Sequence, residues 1–459
     1  MGLSPSSITV VDFEDKRERI APLIAQGVQY EIGRVTPENI NEFLSARVSE
    51  GDLLLDLAWN IDAPTIIDWC HSHGVRYLNT SVELWDPYDN LADVHPLDRT
   101  LYVRHQSLTK LINSWGSNNG PTAVLEHGAN PGLVSHFVKQ ALLEITNKII
   151  DEGRAGDRMA GFEQALEEGE YNKLAMLTGT KVIHIAERDT QITGNPKKVN
   201  EFVNTWSVDG FYEEGIAPAE LGWGTHEKHL PPRAYQHNDD GPNNQICIAQ
   251  PGMNTLVRTW VPGGESLGMV IRHGEAYTMC KHLTVKDANG VDIYRPTVHY
   301  AYCPSNEAIA SVHELKMRDW EMQPNQRLLN TDIISGQDQL GVLLLGHDFN
   351  GWWTGSMLSI DEARQILPDQ SATTMQVAAS VVSAVRWMIA EPNKGVCVPD
   401  DLPHEFILEA ARPYLGTQFS GPTDWNPLRT RKDIFDKWAD HADLLDHSDP
   451  WQFGNFLTQ

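Results

Sequence analysis

The chain has 459 residues, of which 41% are hydrophobic and 21% charged. This is the composition of an ordinary globular protein with room for two or three domains. Its 36 Lys and Arg residues stand against 62 Asp and Glu residues, which gives a formal net charge of −26. The charge argues against nucleic acid and anionic membranes as partners, because a negative surface repels both, and it favours cationic ligands.

The cysteines and the hydropathy bear on the compartment. The 5 cysteines lie far apart and form no C-x-x-C pair, so the sequence predicts neither a disulfide framework nor a zinc site. No run approaches the roughly 18 apolar residues of a membrane span, and the N-terminus lacks a signal-peptide pattern. We therefore expect a protein of the reducing cytoplasm.

The first 130 residues alternate between strand-like and helix-like segments. This rhythm predicts a parallel sheet covered by helices on both faces, with ligands bound at the carboxyl ends of the strands. Strands are predicted at residues 8–12, 28–33, 53–59, 76–82 and 122–128, and helices at about 14–25, from Pro37, at 63–73 and between Asp98 and Trp115.

One expected part of a dinucleotide-binding domain is not found. In such a domain the first strand is followed by G-x-G-x-x-G, and an acid about 20 residues later binds the ribose. Asp12 fits that acid, but no G-x-G-x-x-G occurs near it. We expect that the chain as given starts at the second strand of the domain, because the later units keep their order.

A turn at residues 130–132 separates the two halves of the chain. We expect Asn130 to be the N-cap, and Pro131 the first residue, of a helix with apolar residues at 3/4 spacing. The alternative to a mere cap is that this turn, with exposed N–H groups, faces a cofactor or substrate.

The second half predicts an α+β domain with a largely antiparallel sheet. Residues 150–170 are expected to form a loop or a short helical excursion, and Ser359 with Glu362 forms a capping box. The tail is expected to wrap over the domains or a partner subunit. Strands are predicted at residues 177–191, 245–250, 255–261, 267–273, 281–287, 298–303 and 339–348, and helices at 304–320, 359–367 and 376–390.

Residues 184–227 combine tryptophans and carboxylates without regular helical or strand spacing. Such a set can receive an organic cation, since the ring quadrupole and the negative charges attract the same ligand. The alternative is a surface loop with solvated acids and core tryptophans. The residues concerned are Glu187, Trp206, Glu213, Glu214, Glu220 and Trp223.

Other candidate groups are isolated. The motif at His226 is H-E-x-H, one residue short of the zinc motif H-E-x-x-H, and no metal site is predicted. His273 follows an apolar strand and could be a general acid or base, or simply a hydrogen-bonded histidine. Asp338 precedes a buried strand and is either a turn acid or a site acid.

The motifs together resemble the bacterial homospermidine synthases, which are related to saccharopine and carboxynorspermidine dehydrogenases. The resemblance covers nearly the whole chain in order. It is carried by HGANPGLVSHFVKQAL (127–142), HIAERDTQ (184–191), FVNTWSVDGF (202–211), APAELGWGTHE (217–227), YRPTVHYAY (294–302) and DPWQF (449–453).

The resemblance implies an activity. In that family a bound NAD oxidises putrescine to an imine, a second putrescine displaces ammonia, and the NADH just formed reduces the new imine. It also implies a homodimer. The expected organisation is an NAD-binding Rossmann-like domain at 1–130, a substrate and dimerisation domain at 131–350, and C-terminal helices and tail at 351–459.

The resemblance also implies residue roles. Trp206 is similar to the family's cation–π tryptophan, and Glu187 and Glu214 to carboxylates that bind or deprotonate amines. Glu213, Glu220 and Trp223 remain structural. Further catalytic positions are Asn130 and His273, substrate-binding positions are Glu83, Asp338 and Asn60, and cofactor-binding positions are Asp12, Asp56, Leu57, Thr80, Asn130 and Pro131.

Two departures from the family pattern leave alternatives open. Asn60 stands where an aspartate is expected, and the glycine loop that holds the NAD pyrophosphate is not found. The alternatives are a net NAD(P)-dependent dehydrogenase of the saccharopine or carboxynorspermidine type, and an NAD-free polyamine-binding protein.

Overall fold

The structure is a computed structural model that describes residues 3–85, 93–238, 241–432 and 445–458. Its N-terminal part confirms the predicted alternation of parallel strands and helices. The strands are β1 (Thr9–Asp12), β2 (Gln29–Ile32), β3 (Leu53–Asp56), β4 (Arg76–Asn79) and β5 (Ala123–Val124), and the helices are α1 (Ala21–Ile24), α2 (Ile40–Ser45), α3 (Ala63–Ser72) and α4 (Leu101–Ser114).

These strands form two separate parallel sheets. Within the described ranges β1 pairs only with β2, whereas β3, β4 and β5 pair in that order and β5 also pairs with a strand from the C-terminal part, Val396–Cys397. Ile32 and Leu55 in these strands are 53% and 40% exposed.

Two predicted elements are shorter than expected. The helix predicted over 14–25 is reduced to α1, because the preceding residues turn around Tyr30, whose hydroxyl accepts from the Lys16 amide at 2.9 Å. The strand predicted over 122–128 is reduced to β5, because Glu126 has a φ of 56° and breaks the extended backbone.

The predicted N-cap at Asn130 is wrong. The Asn130–Pro131 peptide is cis, and the helix begins at Leu133 after Gly132, whose φ is 129°. A Cβ on Gly132 would lie 2.1 Å from the Gly128 carbonyl oxygen, so only glycine fits this turn. The side chain of Asn130 is therefore not used to cap the helix.

The C-terminal part is built on a ten-stranded sheet that is mainly antiparallel, as predicted. Its order is β10-β11-β9-β16-β6-β19-β20-β22, with β12 and β13 joined through β16, and only β16 and β6 are parallel. The strands are β6 (Val182–Asp189), β9 (Pro218–Gly222), β10 (Ala234–Gln236), β11 (Gln245–Pro251), β12 (Leu256–Val261), β13 (Gly264–Met269), β16 (Thr297–Cys303), β19 (Gln337–Leu345), β20 (Gly351–Ser359) and β22 (Thr417–Thr423).

Small strand pairs and helices complete this part. The strands are β7 (Ile192–Thr193), β8 (Glu201–Asn204), β14 (Val285–Lys286), β15 (Asp292–Tyr294), β17 (Asn325–Leu328), β18 (Ile333–Ser335) and β21 (Val396–Cys397). The helices are α5 (Leu133–Asp151), α6 (Met159–Glu168), α7 (Tyr171–Thr178), α8 (Val208–Ile216), α9 (Glu275–His282), α10 (Asn306–Met317), α11 (Ile360–Ile366), α12 (Ala372–Ala390) and α13 (His404–Ala411).

The capping box at Ser359 and Glu362 is confirmed, with both of its reciprocal hydrogen bonds present. The strand predicted over 281–287 is wrong in its first half, because α9 continues through His282. Residues 150–170 hold the end of α5 and all of α6, so the short helical alternative is the correct one there.

Residues 184–227 hold β7, β8, α8, β9 and most of β6, so the surface-loop alternative is wrong, while the strand predicted at 177–191 is confirmed from Val182 onward. β6 lies in the middle of the large sheet between β16 and β19, so all but one of its residues are buried. A central strand needs no alternation of polar and apolar residues, since both faces are covered. Its carboxylates therefore lie at the buried carboxyl end of a core strand.

The described tail contacts the large sheet through paired polar groups. Lys181 binds Asp449 at 3.2 Å, and the buried Glu227 accepts the Phe453 amide at 2.9 Å. The His226–Glu227 pair thus holds the tail, and His226 contacts the Trp451 carbonyl. This gives the near-miss H-E-x-H motif a structural role.

Glu220 is expected to stabilise the fold by capping α4 from a distance. Its buried carboxylate accepts the amides of Leu101 and Tyr102 at 2.7 and 2.9 Å. Glu220→Ala leaves both donors unpaired, so the free energy of unfolding should fall by about 1–3 kcal/mol. Urea denaturation at pH 7 measures it, and Glu409→Ala on the exposed face of α13 is the control. Equal midpoints for the two variants would contradict the capping role.

Candidate active site

The centre of the candidate site is Glu187, near the carboxyl end of β6. Its buried Oε2 accepts hydrogen bonds from the Asn130 amide at 2.7 Å and from the Tyr300 hydroxyl. Tyr300 reaches it because β16 runs parallel to β6 and places Tyr302 opposite Glu187. The turn before α5 supplies Asn130, so the structure brings two predicted catalytic residues together.

Two further carboxylates are buried beside Glu187. Asp189 accepts the Thr205 hydroxyl at 2.6 Å, and Asp338, on the antiparallel neighbour β19, lies opposite it in register. Asp338 accepts from the Thr373 hydroxyl through Oδ2, while its buried Oδ1 has no hydrogen-bond donor among the described residues. Asp189 also accepts from the amide and the side chain of Gln191, so three acids share one buried volume and the oxygen without a donor belongs to Asp338.

This crowding shifts all three carboxyl groups toward the neutral form. Burial raises the pKa of Glu187 to about 7, although the Tyr300 hydroxyl opposes the shift. Burial likewise raises the pKa of Asp189 to about 6. The pKa of Asp338 lies well above its usual range because of burial and the adjacent charges of Glu187 and Asp189. A cation entering here would relieve the repulsion.

An aromatic wall runs beside the carboxylates. The half-buried Trp206 donates its indole N–H to the Tyr302 hydroxyl at 3.0 Å. Tyr302 and Tyr300 are stacked with ring centroids 5.2 Å apart, and Tyr300 contacts the His273 ring at 4.3 Å. Trp206 and His273 are thus joined to Glu187 through two tyrosines.

His273 is held between two acids. Its Nε2 lies 3.0 Å from Glu214 and its Nδ1 lies 3.2 Å from the buried Glu275. Burial alone would lower the pKa of His273, but the charges of Glu275 and Glu214 outweigh it and raise the pKa to about 10. Since both ring nitrogens face acceptors, both must carry a proton, and His273 is an imidazolium.

A narrow cleft opens between the N-terminal and C-terminal parts at this point. Glu83 accepts the Ser81 hydroxyl at 2.7 Å through one oxygen, while its other oxygen is buried and has no donor among the residues that the structure describes. The cleft combines residues after β4 and β5 with residues of the C-terminal part. Its polar lining includes Ser81, Glu83, Arg104, Glu126, Glu213, Glu214, Arg272 and His273.

The arginines of the cleft are already paired. Arg104 and Arg272 both donate to one oxygen of Glu213, at 3.1 and 2.7 Å. Two buried guanidiniums on one carboxylate leave Glu213 as an ion-pair anchor. Its contacts agree with the structural role expected for it, and Trp223 is likewise buried, against Phe453.

The residues predicted to bind a cofactor lie at the carboxyl ends of the parallel strands. Asp12 ends β1, and Asp56 ends β3, where it accepts the Tyr77 hydroxyl at 2.8 Å. Leu57, next to Asp56, is 61% exposed. Thr80 follows β4 and would contact a Cβ on Gly128, close to the Asn130–Pro131 turn.

These positions partly fit a dinucleotide. Such a ligand needs carboxylate acceptors for its ribose hydroxyls, an apolar surface for its bases and amide donors for its phosphates. Asp12 and Leu57 supply the first two. No G-x-G-x-x-G turn follows any of β1–β5 in the described ranges. Asn60, predicted to contact the amine, lies beyond β3 with a left-handed φ of 60° and is not part of the cleft lining.

Several site residues escaped the sequence analysis. Tyr300 and Tyr302 lie inside a motif that carried the resemblance, and their spacing of two in a strand puts them on one face. Asp189 lies two residues from Glu187 for the same reason. Glu275 and Arg272 flank His273 and had no separate signal, because their partners are distant in the sequence.

Two family models cover most of the chain. Residues 3–124 match the saccharopine dehydrogenase NADP binding domain, and residues 128–418 match the saccharopine dehydrogenase C-terminal domain. The two matches meet at the turn that carries Asn130. The class is therefore that of the saccharopine dehydrogenase-like proteins.

Individual relatives identify the family within this class. The chain is 40% identical to homospermidine synthase of Blastochloris viridis over 99% of this chain and 92% of the relative. It is 38% identical to homospermidine synthase of Mesorhizobium japonicum over 99% and 91%. The crystal structure of homospermidine synthase from Legionella pneumophila in complex with NAD matches with a TM-score of 0.86 and 37% identity, covering 100% of this chain and 93% of that one. The chain belongs to the homospermidine synthase family.

The described residues lack two features. None of the helices there is long and apolar enough to cross a membrane. The same part of the chain holds no group of three or more side chains arranged to bind a metal ion.

The raised pKa of Glu187 predicts a pH-dependent gain from Glu187→Gln. Between its ordinary pKa and about 7 the folded protein holds a proton that the unfolded chain has lost, so stability falls as the pH rises. Glutamine avoids this cost. The free energy of unfolding of the variant, relative to the parent, should therefore rise by on the order of 2 kcal/mol between pH 5 and pH 8.

Chemical denaturation at the two pH values measures this difference. Glu409→Gln, on the exposed face of α13, is the matched control and should show no pH-dependent gain. A constant difference between the Glu187 variant and the parent at both pH values would show that Glu187 is already ionised at pH 5.

Proposed function

We propose that this protein is an NAD-dependent homospermidine synthase. Two molecules of putrescine would be joined into one of homospermidine with loss of one ammonia, so that no net oxidation or reduction occurs. The observation that carries the proposal is the buried cluster of Glu187, Asp189 and Asp338 beside the wall of Trp206, Tyr302 and Tyr300. Negative charge and π faces together suit a protonated amine and the iminium ion formed from it.

Proton removal is the first task of the site. An ammonium group must lose its proton before a hydride can leave the adjacent carbon, and a base works best when its pKa lies near the working pH. Glu187, with a pKa of about 7, meets this condition. Asn130 and Tyr300 both donate to its Oε2 and so fix the direction in which the carboxylate points.

The aromatic wall then stabilises the charge that develops. When bound, NAD would accept a hydride from the amine carbon and return it to the final imine. Trp206 lies beside that carbon in our proposal, and its face attracts the iminium charge. Its N–H bond to Tyr302 fixes the ring orientation, so little reorganisation is needed during the reaction.

The second putrescine would enter through the cleft. Glu83 has a carboxylate oxygen there without a donor, which suits a distal ammonium group. Glu214, paired with the imidazolium of His273, can take a proton from the attacking amine. Asn60 stands where an aspartate is expected. It lies outside the cleft lining, and we assign it a polar contact with the amine on its way into the cleft.

NAD would lie along the carboxyl ends of the parallel strands. Asp12 would accept the ribose hydroxyls, Asp56 and Leu57 would face the cofactor, and Thr80 would lie near Asn130 and Pro131. The cytoplasm as location, the homodimer and the division of the chain at 130 and 350 belong to the same proposal. Sedimentation velocity on the purified protein tests the dimer.

A net dehydrogenase of the saccharopine or carboxynorspermidine type is less well supported. Its substrates carry carboxylates, which require free basic groups. The two arginines of the cleft, Arg104 and Arg272, are both paired with Glu213. An NAD-free polyamine-binding protein would not need a base held as Glu187 is.

The proposed reaction has a direct assay. Incubation of the protein with putrescine and NAD should yield homospermidine and ammonia in a 1:1 ratio, measured by mass spectrometry and an ammonia assay. NADH, followed by its absorbance, should not accumulate, because the reduced cofactor is consumed in each cycle. Stoichiometric loss of added NAD(P)H would instead identify a net dehydrogenase.

Trp206→Ala should lose most of its turnover. Removing the ring removes a π contact with a desolvated cation worth about 2 kcal/mol, so kcat/KM should fall roughly 30-fold or more. Trp206→Phe keeps an aromatic face that attracts cations more weakly, so its kcat/KM should lie between those of the parent and of Trp206→Ala. Trp115→Ala, at the end of α4 and stacked on His71, is the control. Turnover of Trp206→Ala near the parental value, with folding intact by circular dichroism, would remove the tryptophan from the mechanism.

A further inference from the structure

Glu126 is held in an unfavourable backbone conformation directly after β5. Its φ of 56° lies in the left-handed region, which residues other than glycine and asparagine rarely adopt. The Asn79 side chain anchors it by accepting the Glu126 amide at 2.7 Å. Such strain persists only where surrounding contacts impose it, and it concentrates at functional sites.

The carboxylate of Glu126 packs on the backbone of Gly274. A Cβ placed on Gly274 would lie 2.0 Å from Oε2 of Glu126 and 2.4 Å from its Cδ. The same Oε2 lies 2.9 Å from Nε2 of His105 on α4. The left-handed turn at Glu126 thus aims a buried carboxylate at one glycine of the C-terminal part.

Gly274 ends the connection between β13 and α9. Within residues 270–274 the Val270 amide donates to the Thr255 carbonyl and the Gly274 carbonyl accepts the first amides of α9, while the residues between them belong to neither a strand nor a helix. This segment carries Arg272 and His273 into the cleft. Because His273 pairs with Glu214 there, a small shift of the segment would misplace both groups.

Glu126 also connects this segment to the parallel sheet. Asp56 accepts the Tyr77 hydroxyl at 2.8 Å, and the Asn79 amide donates to the same hydroxyl oxygen at 3.2 Å. Asn79 in turn accepts the Glu126 amide. A continuous set of hydrogen bonds therefore runs from the carboxyl end of β3 to the contact with Gly274.

We propose that Glu126 is a positioning residue that sets the segment 270–274, and with it His273 and Arg272, against the carboxyl ends of the parallel strands. It acts through its contact with Gly274 and does not touch the reacting atoms. The inference rests on the proposed function, since it assigns His273 to the amine site.

A double-variant cycle at positions 126 and 274 tests this role. Gly274→Ala forces a methyl group into the Glu126 carboxylate, so kcat/KM for putrescine should fall at least about 30-fold. Glu126→Asn tolerates the left-handed backbone but withdraws the carboxylate, and it should cost about as much. Glu126→Gln keeps the length and the acceptor for His105, and it should stay within roughly threefold of the parent.

The combined variant decides the matter. Glu126→Asn with Gly274→Ala should be at least about fivefold more active than Gly274→Ala alone, because the shorter side chain makes room for the methyl group. Gly454→Ala, where an added Cβ meets no atom within 4 Å, is the control. Additive losses in the cycle, or losses for Glu126→Gln equal to those for Glu126→Asn, would overturn the proposal.

The same cycle measured on the putrescine Kd, with NAD present and by calorimetry, separates two kinds of failure. A parent that binds putrescine but forms no homospermidine contradicts the proposed function, while coupling between positions 126 and 274 in Kd still supports the positioning role. Thermal midpoints of all variants complete the set. Coupling in the midpoints without coupling in Kd or kcat/KM would make the contact purely structural and would overturn the inference.

Discussion

The structure depends most on one constraint, which is that three carboxyl groups share a buried volume. Glu187 and Asp189 both receive hydrogen bonds, while one oxygen of Asp338 receives none from the described residues. Burying an unpaired charge costs several kcal/mol, so the buried carboxyl groups either stay protonated or bind a cation. In the proposed function a diamine supplies that cation. Substrate binding and the relief of this repulsion would then be the same event.

The two sheets contribute to this site from different sides. The large sheet presents Glu187 and the two tyrosines at the carboxyl ends of its single parallel pair, β6 and β16. The smaller parallel sheet approaches with its own carboxyl ends, and the turn between them delivers Asn130. The candidate catalytic groups therefore come from places where backbone direction makes several strands end together.

Much of this arrangement could be predicted from the sequence, because it follows from local patterns. The parallel units, the mainly antiparallel second sheet and the capping box at Ser359 all have short-range signals. What failed depended on long-range contacts. The strand predicted at 177–191 is present as β6, whereas the surface-loop alternative for residues 184–227 fails because β8 and β9 pair with strands that are distant in the sequence. The pairing of Glu275 with His273, and of both arginines with Glu213, joins elements that only the tertiary fold brings together.

The central claim is that a diamine binds by replacing protons on buried carboxyl groups. Calorimetric titration of the NAD-containing protein with putrescine at pH 6.5, in buffers with different ionisation enthalpies, measures protons released per binding event. With Glu187 titrating at about 7, roughly 0.5–1 proton should be released per site, and the number should fall as the pH rises above 8. Binding without proton release at pH 6.5, or with proton uptake, would contradict the account.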